Sequence, residues 1–207
     1  MTFSELGLRG EVLKSITDLG FDVPTPIQQK AIPHLLQSES DFVGLAQTGT
    51  GKTAAFGLPL VNNVKPGINS PQGLIICPTR ELCLQITKDL ENYSKYDKAT
   101  SIVAVYGGSD IRKQMTQVKT ATIIVATPGR LNDLINRRAI NLSEVECVVL
   151  DEADEMLDMG FVEDIELILK ETPKSRQTVM FSATMPRQIL ELTKKYQRNG
   201  YLPSSIR

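Results

Sequence analysis

Short apolar runs alternate with longer amphipathic segments along most of the 207 residues. The runs are continuous and rich in β-branched residues, which is typical of strands buried on both faces of a sheet. Two of the intervening segments open with proline, after Thr127 and after Met185, as first helical turns often do because proline has no N–H to leave unpaired. The predicted strands are FVGLA (42–46), GLIICP (73–78), SIVAVY (101–106), TIIVAT (122–127), CVVLD (147–151) and TVMFSAT (178–184), and helical segments begin near Lys52, Arg80, Asp110, Pro128, Phe161 and Pro186.

This alternation predicts an α/β domain in which one parallel sheet carries helices on both faces. The segment before the first strand, from about Phe3 to Leu36, is predicted to be helical with a break at VPTP (23–26), and residues 65–72 are predicted to form an exposed loop. Ligands of such sheets bind beyond the carboxyl ends of the strands. The turns from strand to helix are therefore where we expect the chemistry.

Composition limits the class of protein and leaves its chemistry to local motifs. No apolar run approaches the roughly 20 residues of a membrane helix, and the first ten residues lack the regions of a secretory signal, so we expect a cytoplasmic protein. Cys77, Cys83 and Cys147 match no zinc spacing, and His34 lies in an apolar helical stretch, so none is assigned a role. The formal net charge of −1 means that any contact with nucleic acid has to be local.

The segment AQTGTGKT (46–53) stands where the first strand gives way to a helix. Its glycines allow backbone N–H groups to converge on phosphate oxygens, Lys52 offers an ammonium to the terminal phosphates, and Thr53 offers a hydroxyl to Mg²⁺. Ala46 replaces the first glycine of the general phosphate-loop pattern. A chance GKT in a loop is the alternative, and the strand–turn–helix context favours the phosphate loop.

A second motif, DEAD (151–154), ends the apolar run VECVVL. A carboxylate at the end of a buried strand can coordinate Mg²⁺, usually through water, and the next one can orient the water that attacks the γ-phosphate. We assign the first role to Asp151 and the second to Glu152. Acidic residues after a strand also suit the start of an exposed helix, but the phosphate loop upstream favours a nucleoside-triphosphate site.

With these motifs the chain resembles the N-terminal RecA-like domain of the DEAD-box ATP-dependent RNA helicases. Seven short motifs follow the order of that family across nearly the whole sequence, and Ala46 fits the family's own form of the phosphate loop. The motifs are GFDVPTPIQ (20–28), AQTGTGKT (46–53), PTREL (78–82), GG (107–108), TPGR (127–130), DEAD (151–154) and SAT (182–184).

The resemblance implies a site for ATP and Mg²⁺ in which Gln28 of the Q motif hydrogen-bonds the adenine edge and Phe21 stacks on the base. An amide can satisfy a donor and an acceptor on adenine together, and an aromatic face stacks on a purine. Thr25 would support the phosphate loop and Phe3 would be the upstream aromatic residue, although Phe21 as a core residue and Gln28 as a surface residue remain open alternatives. The nucleotide-binding set is completed by Gln47, Thr48, Gly49, Thr50, Gly51, Lys52 and Thr53.

The resemblance also implies contacts with the RNA backbone that read no bases. Hydroxyls, backbone amides and guanidinium groups would bind ribose and phosphate, while Ser182 and Thr184 would hydrogen-bond the DEAD carboxylates and link the nucleotide site to domain closure. An ordinary helix cap at Thr127 and an ordinary ion pair at Arg80 are the alternatives. The implied RNA-binding residues are Thr79, Arg80, Gly107, Gly108, Thr127, Gly129 and Arg130.

We expect residues 1–36, which carry the Q motif, to belong to the same domain as the ATP-binding core at 37–207. Full family members continue into a second RecA-like domain that supplies arginine fingers and the other half of the RNA cleft. No HRxGRxxR-like string occurs here, so we expect that domain to be absent, and we expect a monomer. We also expect the final residues, QRNGYLPSSIR, not to match the strand-forming segment that leads toward the interdomain linker.

Three functions fit these motifs. The first is the N-terminal domain of an ATP-dependent RNA helicase, and the second is a nucleotide-dependent binding module that engages RNA or a protein without catalysis. The third is an unrelated phosphate-loop enzyme such as a small-molecule kinase, which would need an acceptor pocket or a lid.

Overall fold

A computed structural model of the chain describes residues 1–47 and 49–197 and the backbone of residues 204–205. Each predicted apolar run forms a strand, a little shorter than the run itself because the flanking residues turn toward the next helix. The strands are β1 Phe42–Leu45, β2 Gly73–Ile76, β3 Ile102–Val105, β4 Ile123–Ala126, β5 Cys147–Leu150, β6 Gln177–Ser182 and β7 Ser204–Ser205.

The helices agree with the predicted segments except after β5. The acidic motif there opens a short helix, α7, which ends at Met159 and Gly160, where the glycine has φ of 82°. Sequence periodicity placed the next helix only near Phe161, so α7 was missed. The helices are α1 Gly10–Asp18, α2 Pro26–Gln37, α3 Lys52–Asn63, α4 Arg80–Tyr93, α5 Ile111–Gln117, α6 Pro128–Asn136, α7 Ala153–Asp158, α8 Val162–Lys170 and α9 Arg187–Tyr196, with single 3₁₀ turns at Phe3–Leu6 and Val118–Thr120.

The strands form one sheet in the order β3-β4-β2-β5-β6-β1-β7, and every neighbouring pair is parallel. The predicted parallel sheet is therefore confirmed. Strands β1, β6 and β5, which precede the phosphate loop, SAT and DEAD, lie side by side in one half. Strands β2, β4 and β3, which precede PTREL, TPGR and GG, lie side by side in the other half.

Ser204–Ser205, in the tail for which no strand was predicted, form the short strand β7. These two residues pair with Gly44 and Leu45 along the outer side of β1. Backbone N–H and C=O groups make such a ladder whatever the side chains are, and the unpaired edge of β1 offers them. Polar side chains therefore gave no sign of this strand.

Alternate residues of each strand point to opposite faces, and each face has its own apolar core. One core packs α1 to α4 against Phe42, Ile75 and Phe181, and the other packs α6 to α9 against Val43, Leu74 and Met180. This arrangement confirms the predicted helices on both faces, and it holds the carboxyl ends of the strands at one edge.

The segment before β1 is attached to the core by apolar and charged contacts. The buried side chains of Phe3 and Leu6 belong to the same core as α2 and α3. The Arg9 guanidinium lies 2.8 Å from a carboxylate oxygen of the buried Asp97 and also donates to the Val61 carbonyl. No helix among the described residues is long and apolar enough to cross a membrane.

Replacing Gly44 of β1 with alanine should destabilise the fold. A Cβ at this position would lie 2.6 Å from an atom of the Phe181 ring and 3.1 Å from an atom of the Phe42 ring. We expect a loss of about 1–3 kcal/mol in the free energy of unfolding, which is typical of overpacking a dense core. Urea denaturation would measure it, with Gly10→Ala as the control because no atom lies within 4 Å of a Cβ there; equal midpoints for the two variants would contradict the prediction.

Candidate functional site

The phosphate loop connects β1 to α3, and side-chain hydrogen bonds to its backbone hold its shape. Gly51, with φ of 87°, precedes the first residue of α3, and a Cβ at this position would lie 2.5 Å from Nε2 of Gln28. The Thr50 hydroxyl donates to the carbonyl of Gln47 over 2.8 Å. Gln47 and Gly49 are exposed and Thr50 is half-buried, so this loop offers N–H groups to an anion at the start of α3. The predicted ligand Thr48 lies outside the described residues.

Lys52 and Asp151 bring opposite charges together beneath the loop. The Lys52 Nζ lies 3.7 Å from Oδ1 of Asp151, and both side chains are buried. Burial raises the pKa of Asp151 to about 6, against the opposing effect of the Lys52 ammonium. A buried carboxylate of this kind is stable in its charged form only beside a cation. The pair therefore joins the phosphate loop after β1 to the acidic motif after β5.

Glu152 has an unusual backbone conformation. Its φ of 52° and ψ of 50° place it in the left-handed region, and its N–H donates to Oδ1 of Asp151 over 3.0 Å. Residues other than glycine adopt this region at a cost of about 1–3 kcal/mol, and such strain is concentrated at functional sites. The strain turns the chain directly from β5 into α7 and leaves the Glu152 side chain half-exposed beside the Lys52–Asp151 pair.

The SAT segment after β6 binds the last carboxylate of DEAD. The Thr184 hydroxyl and N–H donate to Oδ2 of Asp154 over 2.8 and 2.9 Å. Partial burial favours the neutral form of Asp154, but the hydrogen bonds from Thr184 outweigh it and bring the pKa of this carboxylate below its usual value. The buried Ser182 Oγ itself has no partner in hydrogen-bond geometry among the described atoms. Thr184 thus makes the contact predicted for the pair, and Ser182 does not complete one.

Oxygen donors suited to Mg²⁺ come from the two motifs, and they fit the ion's preference for hard ligands. Thr53 lies half-buried in the first turn of α3, one residue after Lys52, and Asp151 faces Lys52. The buried Ser182 hydroxyl leaves a polar atom for a further ligand or water. No group of three or more His, Cys, Asp or Glu side chains able to hold a metal occurs in the described part of the chain.

The segment at 20–28 is attached to the loop at 46–53. The Gln28 Nε2 donates to the Gly51 carbonyl over 3.1 Å, and the Thr25 hydroxyl donates to the Thr50 carbonyl over 3.0 Å. The Gln28 Oε1 accepts the Thr25 N–H at the start of α2. Gln28 is buried, so both ends of the amide that was predicted to read adenine are already used, with one donor and one lone pair left.

Phe21 lies half-buried in the middle of an aromatic row. Its ring centroid is 5.8 Å from that of Phe3 and 6.0 Å from that of Tyr93, in an edge-on arrangement with the latter. The core alternative therefore describes part of the Phe21 side chain, and the exposed remainder leaves area for a base to stack. Tyr93, the last residue of α4, was not recognised from sequence.

On the other half of the sheet edge, Arg80 lies over an aromatic ring. Its guanidinium carbon is 4.9 Å from the ring centroid of Tyr106, the residue that precedes the glycine pair. Thr79 caps α4 by accepting the Leu82 N–H, whereas Thr127, the residue for which a helix cap was the alternative, makes no side-chain cap hydrogen bond. Arg80 is exposed, so its N–H groups are available to an anion while its face is held.

Arg130 is half-buried, and one of its guanidinium nitrogens bonds within the protein. Its Nη1 donates to the Ser109 carbonyl over 3.1 Å and to Oε1 of Gln114 over 3.0 Å. The Gln114 Nε2 in turn donates to the Tyr106 carbonyl over 3.1 Å. The guanidinium predicted to contact RNA is thus used to tie the TPGR turn to the GG turn.

The glycines of these turns expose bare backbone. Gly107, Gly108 and Gly129 are exposed, and a Cβ at Gly107 or Gly129 would have no atom within 4 Å. Thr127 is half-buried at the residue before α6. Open backbone beside a helix start can be approached closely by a sugar-phosphate chain.

Sequence reasoning missed the residues that support these turns. Asp154 lies within the DEAD motif but was given no individual role, although its position in the motif was a signal. Tyr106 and Gln114 carry no signal of their own, because their contacts cross from one strand end to another. Only the fold brings them to the site.

Comparison with known proteins agrees with this geometry. The sequence model of the DEAD/DEAH box helicase family matches residues 25–192. The chain is 52% identical to the ATP-dependent RNA helicase CshA of Listeria monocytogenes over 97% of this chain and 38% of that protein, and 48% identical to the ATP-dependent RNA helicase DeaD of Haemophilus influenzae over 96% of this chain and 32% of that protein. It therefore spans about a third of the length of these curated relatives.

Solved structures show the same likeness. The crystal structure of a DEAD box protein from Methanococcus jannaschii superposes with a TM-score of 0.93 at 45% identity, over 100% of this chain and 55% of that one. A hypothetical ATP-dependent RNA helicase from Sulfolobus tokodaii gives 0.87 at 37% identity, over 96% and 57%. The family match, the identities and the superpositions lead to one conclusion, that the chain belongs to the DEAD/DEAH box helicase family.

Proposed function

We propose that this chain is an ATP-binding N-terminal helicase domain that binds ATP with Mg²⁺ and the RNA backbone, and that it works within a protein coupling ATP hydrolysis to duplex unwinding or remodelling of RNA–protein complexes. The observation that carries this proposal is the meeting of Lys52, Asp151, Glu152 and Thr184 at the ends of three adjacent strands. Family membership removes the unrelated kinase as an alternative. A binding module without catalysis stays as the competing function, and hydrolysis distinguishes the two.

In the proposed nucleotide site each side chain has a separate task. Lys52 binds the terminal phosphates, and Thr53 and Asp151 hold Mg²⁺, the latter through water. Mg²⁺ neutralises phosphate charge when bound. Glu152 orients the attacking water. Its strained backbone sets the direction in which the side chain leaves the main chain. Thr184 and Ser182, next to Asp154, link the nucleotide site to closure of the domain that packs on this edge.

The proposed RNA site lies along the other half of the same edge. Arg80 supplies the exposed cation, and Thr79, Gly107, Gly108, Thr127 and Gly129 supply hydroxyls and backbone amides. Arg130 acts on the RNA through the turns it joins. Contacts of these kinds touch ribose and phosphate, so we propose binding that is indifferent to base sequence.

We further propose that a second RecA-like domain is the partner of this edge. The chain spans 38% and 32% of its curated relatives, so the activity of the whole protein belongs to a longer polypeptide. That domain would supply the arginine fingers and the remaining RNA contacts. We propose that the chain by itself is a monomer.

The site should prefer adenine nucleotides because a Gln28 amide distinguishes adenine from guanine. Pairing an amide with a base edge contributes about 1–3 kcal/mol of discrimination, so ADP should bind roughly tenfold or more tightly than GDP. Gln28→Ala should weaken both nucleotides, since Gln28 also holds Gly51, but it should weaken ADP more. Titration calorimetry with both nucleotides measures this ratio.

Two controls separate the roles in that experiment. Lys52→Ala should weaken ADP and GDP by the same factor, because its contact is with phosphate. Gln37→Ala, at the far end of α2 and exposed, should change neither. Equal affinity of the wild type for ADP and GDP would be evidence against the assignment of Gln28.

RNA binding should be weak and strongly dependent on salt, since it rests on a few backbone contacts in a chain of net charge −1. Arg80→Gln should lower the affinity for a labelled single strand and reduce the slope of log affinity against log salt by about 0.7. Arg137→Gln is the matched control, because Arg137 is exposed at the opposite end of α6. Fluorescence anisotropy at several salt concentrations tests this, and base preference that persists at high salt would refute the backbone-contact interpretation.

The 207-residue chain should bind ATP yet hydrolyse it slowly, with little stimulation by RNA. Lys52 is the cation that the described residues bring to Asp151, and phosphoryl transfer in related enzymes needs a further arginine worth about 10³–10⁵ in rate. Fusing the remainder of the Listeria relative to this chain should restore RNA-stimulated turnover, and Glu152→Gln should abolish that gain while sparing nucleotide binding. The measurement is the rate of phosphate release by the chain with and without RNA. Robust RNA-stimulated turnover by the chain alone would contradict the prediction.

A further inference from the structure

We propose that Gln114 is a positioning residue for RNA binding, which holds the exposed glycine turn and Arg130 in the geometry that a phosphate chain meets. The inference rests on the proposed RNA contact of this edge. Gln114 belongs to none of the motifs that carry the family resemblance. Only 4% of its surface is exposed, so the side chain itself is not accessible to RNA.

Gln114 anchors both ends of the Gly107–Gly108 turn. From α5 its Nε2 donates to the Tyr106 carbonyl over 3.1 Å, immediately before the pair, and to the Ser109 hydroxyl, immediately after it. The two glycines have no Cβ, and no other atom would lie within 4 Å of a Cβ placed at Gly107. Glycine loses the most backbone freedom on ordering, so the order of this turn depends on what holds its ends.

The same amide fixes Arg130. Its Oε1 accepts Nη1 of Arg130 over 3.0 Å, and that nitrogen also donates to the Ser109 carbonyl. Arg130 lies in the first turn of α6, so its guanidinium joins the end of β4 to the end of β3. Hydrogen bonds that connect several groups in a partly buried network restrain those groups relative to one another.

The network extends to the third RNA motif through Tyr106. The Tyr106 carbonyl binds Gln114, while its ring lies beneath the Arg80 guanidinium. One side chain thereby aligns the turns after β2, β3 and β4. Groups held in their bound arrangement lose less freedom when the ligand binds, which increases affinity without a contact of their own.

The test compares the affinity of a labelled oligouridylate for the wild-type chain and for Gln114→Met, which keeps the length of the side chain and removes its hydrogen bonds. We expect RNA binding to weaken by about threefold to tenfold, with ADP affinity unchanged. Because Gln114 itself meets no phosphate, the salt dependence should stay that of the wild type, unlike that of Arg80→Gln. The matched control is Gln117→Met, an exposed glutamine at the end of the same helix, which should bind as the wild type does.

Two further variants distinguish positioning from a general effect on folding. Gln114→Glu keeps an acceptor for Arg130 and loses the donor to Tyr106, so it should bind RNA with intermediate affinity; it also decides the question if Gln114→Met does not fold. Arg80→Gln should cost less RNA affinity in the Gln114→Met background than in the wild type, because the two act through one turn. A lower melting temperature with RNA affinity intact would overturn the positioning role.

The outcomes separate this inference from the function beneath it. If the wild type binds the strand and Gln114→Met binds it equally well, only the role of Gln114 is wrong. If the wild type and Arg80→Gln are both without measurable affinity, the proposed RNA contact fails and the role of Gln114 fails with it. Parallel loss of RNA and ADP binding in Gln114→Met would indicate a general disturbance and would also overturn the inference.

Discussion

Parallel pairing of all the strands is the constraint on which the rest of this structure depends. In a parallel sheet every strand ends at the same edge, and every following helix starts there. Motifs about a hundred residues apart, such as the loop at 46–53 and DEAD at 151–154, thus become neighbours. The order of the strands then divides that edge, with β1, β6 and β5 on one side and β2, β4 and β3 on the other. Under the proposed function, the first side would bind the nucleotide and the second would bind the RNA backbone.

The half of the edge formed by β1, β6 and β5 contains several groups whose arrangement lowers the stability of the fold. Lys52 and Asp151 are buried ions, Glu152 has a strained backbone, and Ser182 has a buried hydroxyl without a partner among the described atoms. Each feature opposes folding. The two apolar cores on either side of the sheet offset these costs, because they fix the strands from both faces. Phosphate oxygens and a cation would satisfy the same groups, so ligand binding and local stability are coupled.

How much of this could be predicted from sequence depends on the range of the interaction. Continuous β-branched runs and helix-opening prolines are local signals, and they predicted the strands and the carboxyl-edge motifs. The strand Ser204–Ser205 escaped because a backbone ladder needs no particular side chain, and α7 escaped because it is short and begins inside a motif assigned to chemistry. The hydrogen bond from Arg130 to Gln114 could not be predicted from sequence, because the two residues become neighbours only when β3 pairs with β4.

Gln28 and Arg130 illustrate a general property of this edge. Each was predicted as a ligand contact, and each makes its hydrogen bonds inside the protein, to Gly51 and Thr25 in one case and to Ser109 and Gln114 in the other. A loop rich in glycine cannot hold its own shape, because the freedom that lets it approach a phosphate also lets it move. Side chains from neighbouring elements must supply the order. Loss of binding on mutation of such a residue therefore does not identify a contact with the ligand. The ratio between two ligands, or the dependence of affinity on salt, is needed to tell a residue that touches the ligand from one that holds the loop.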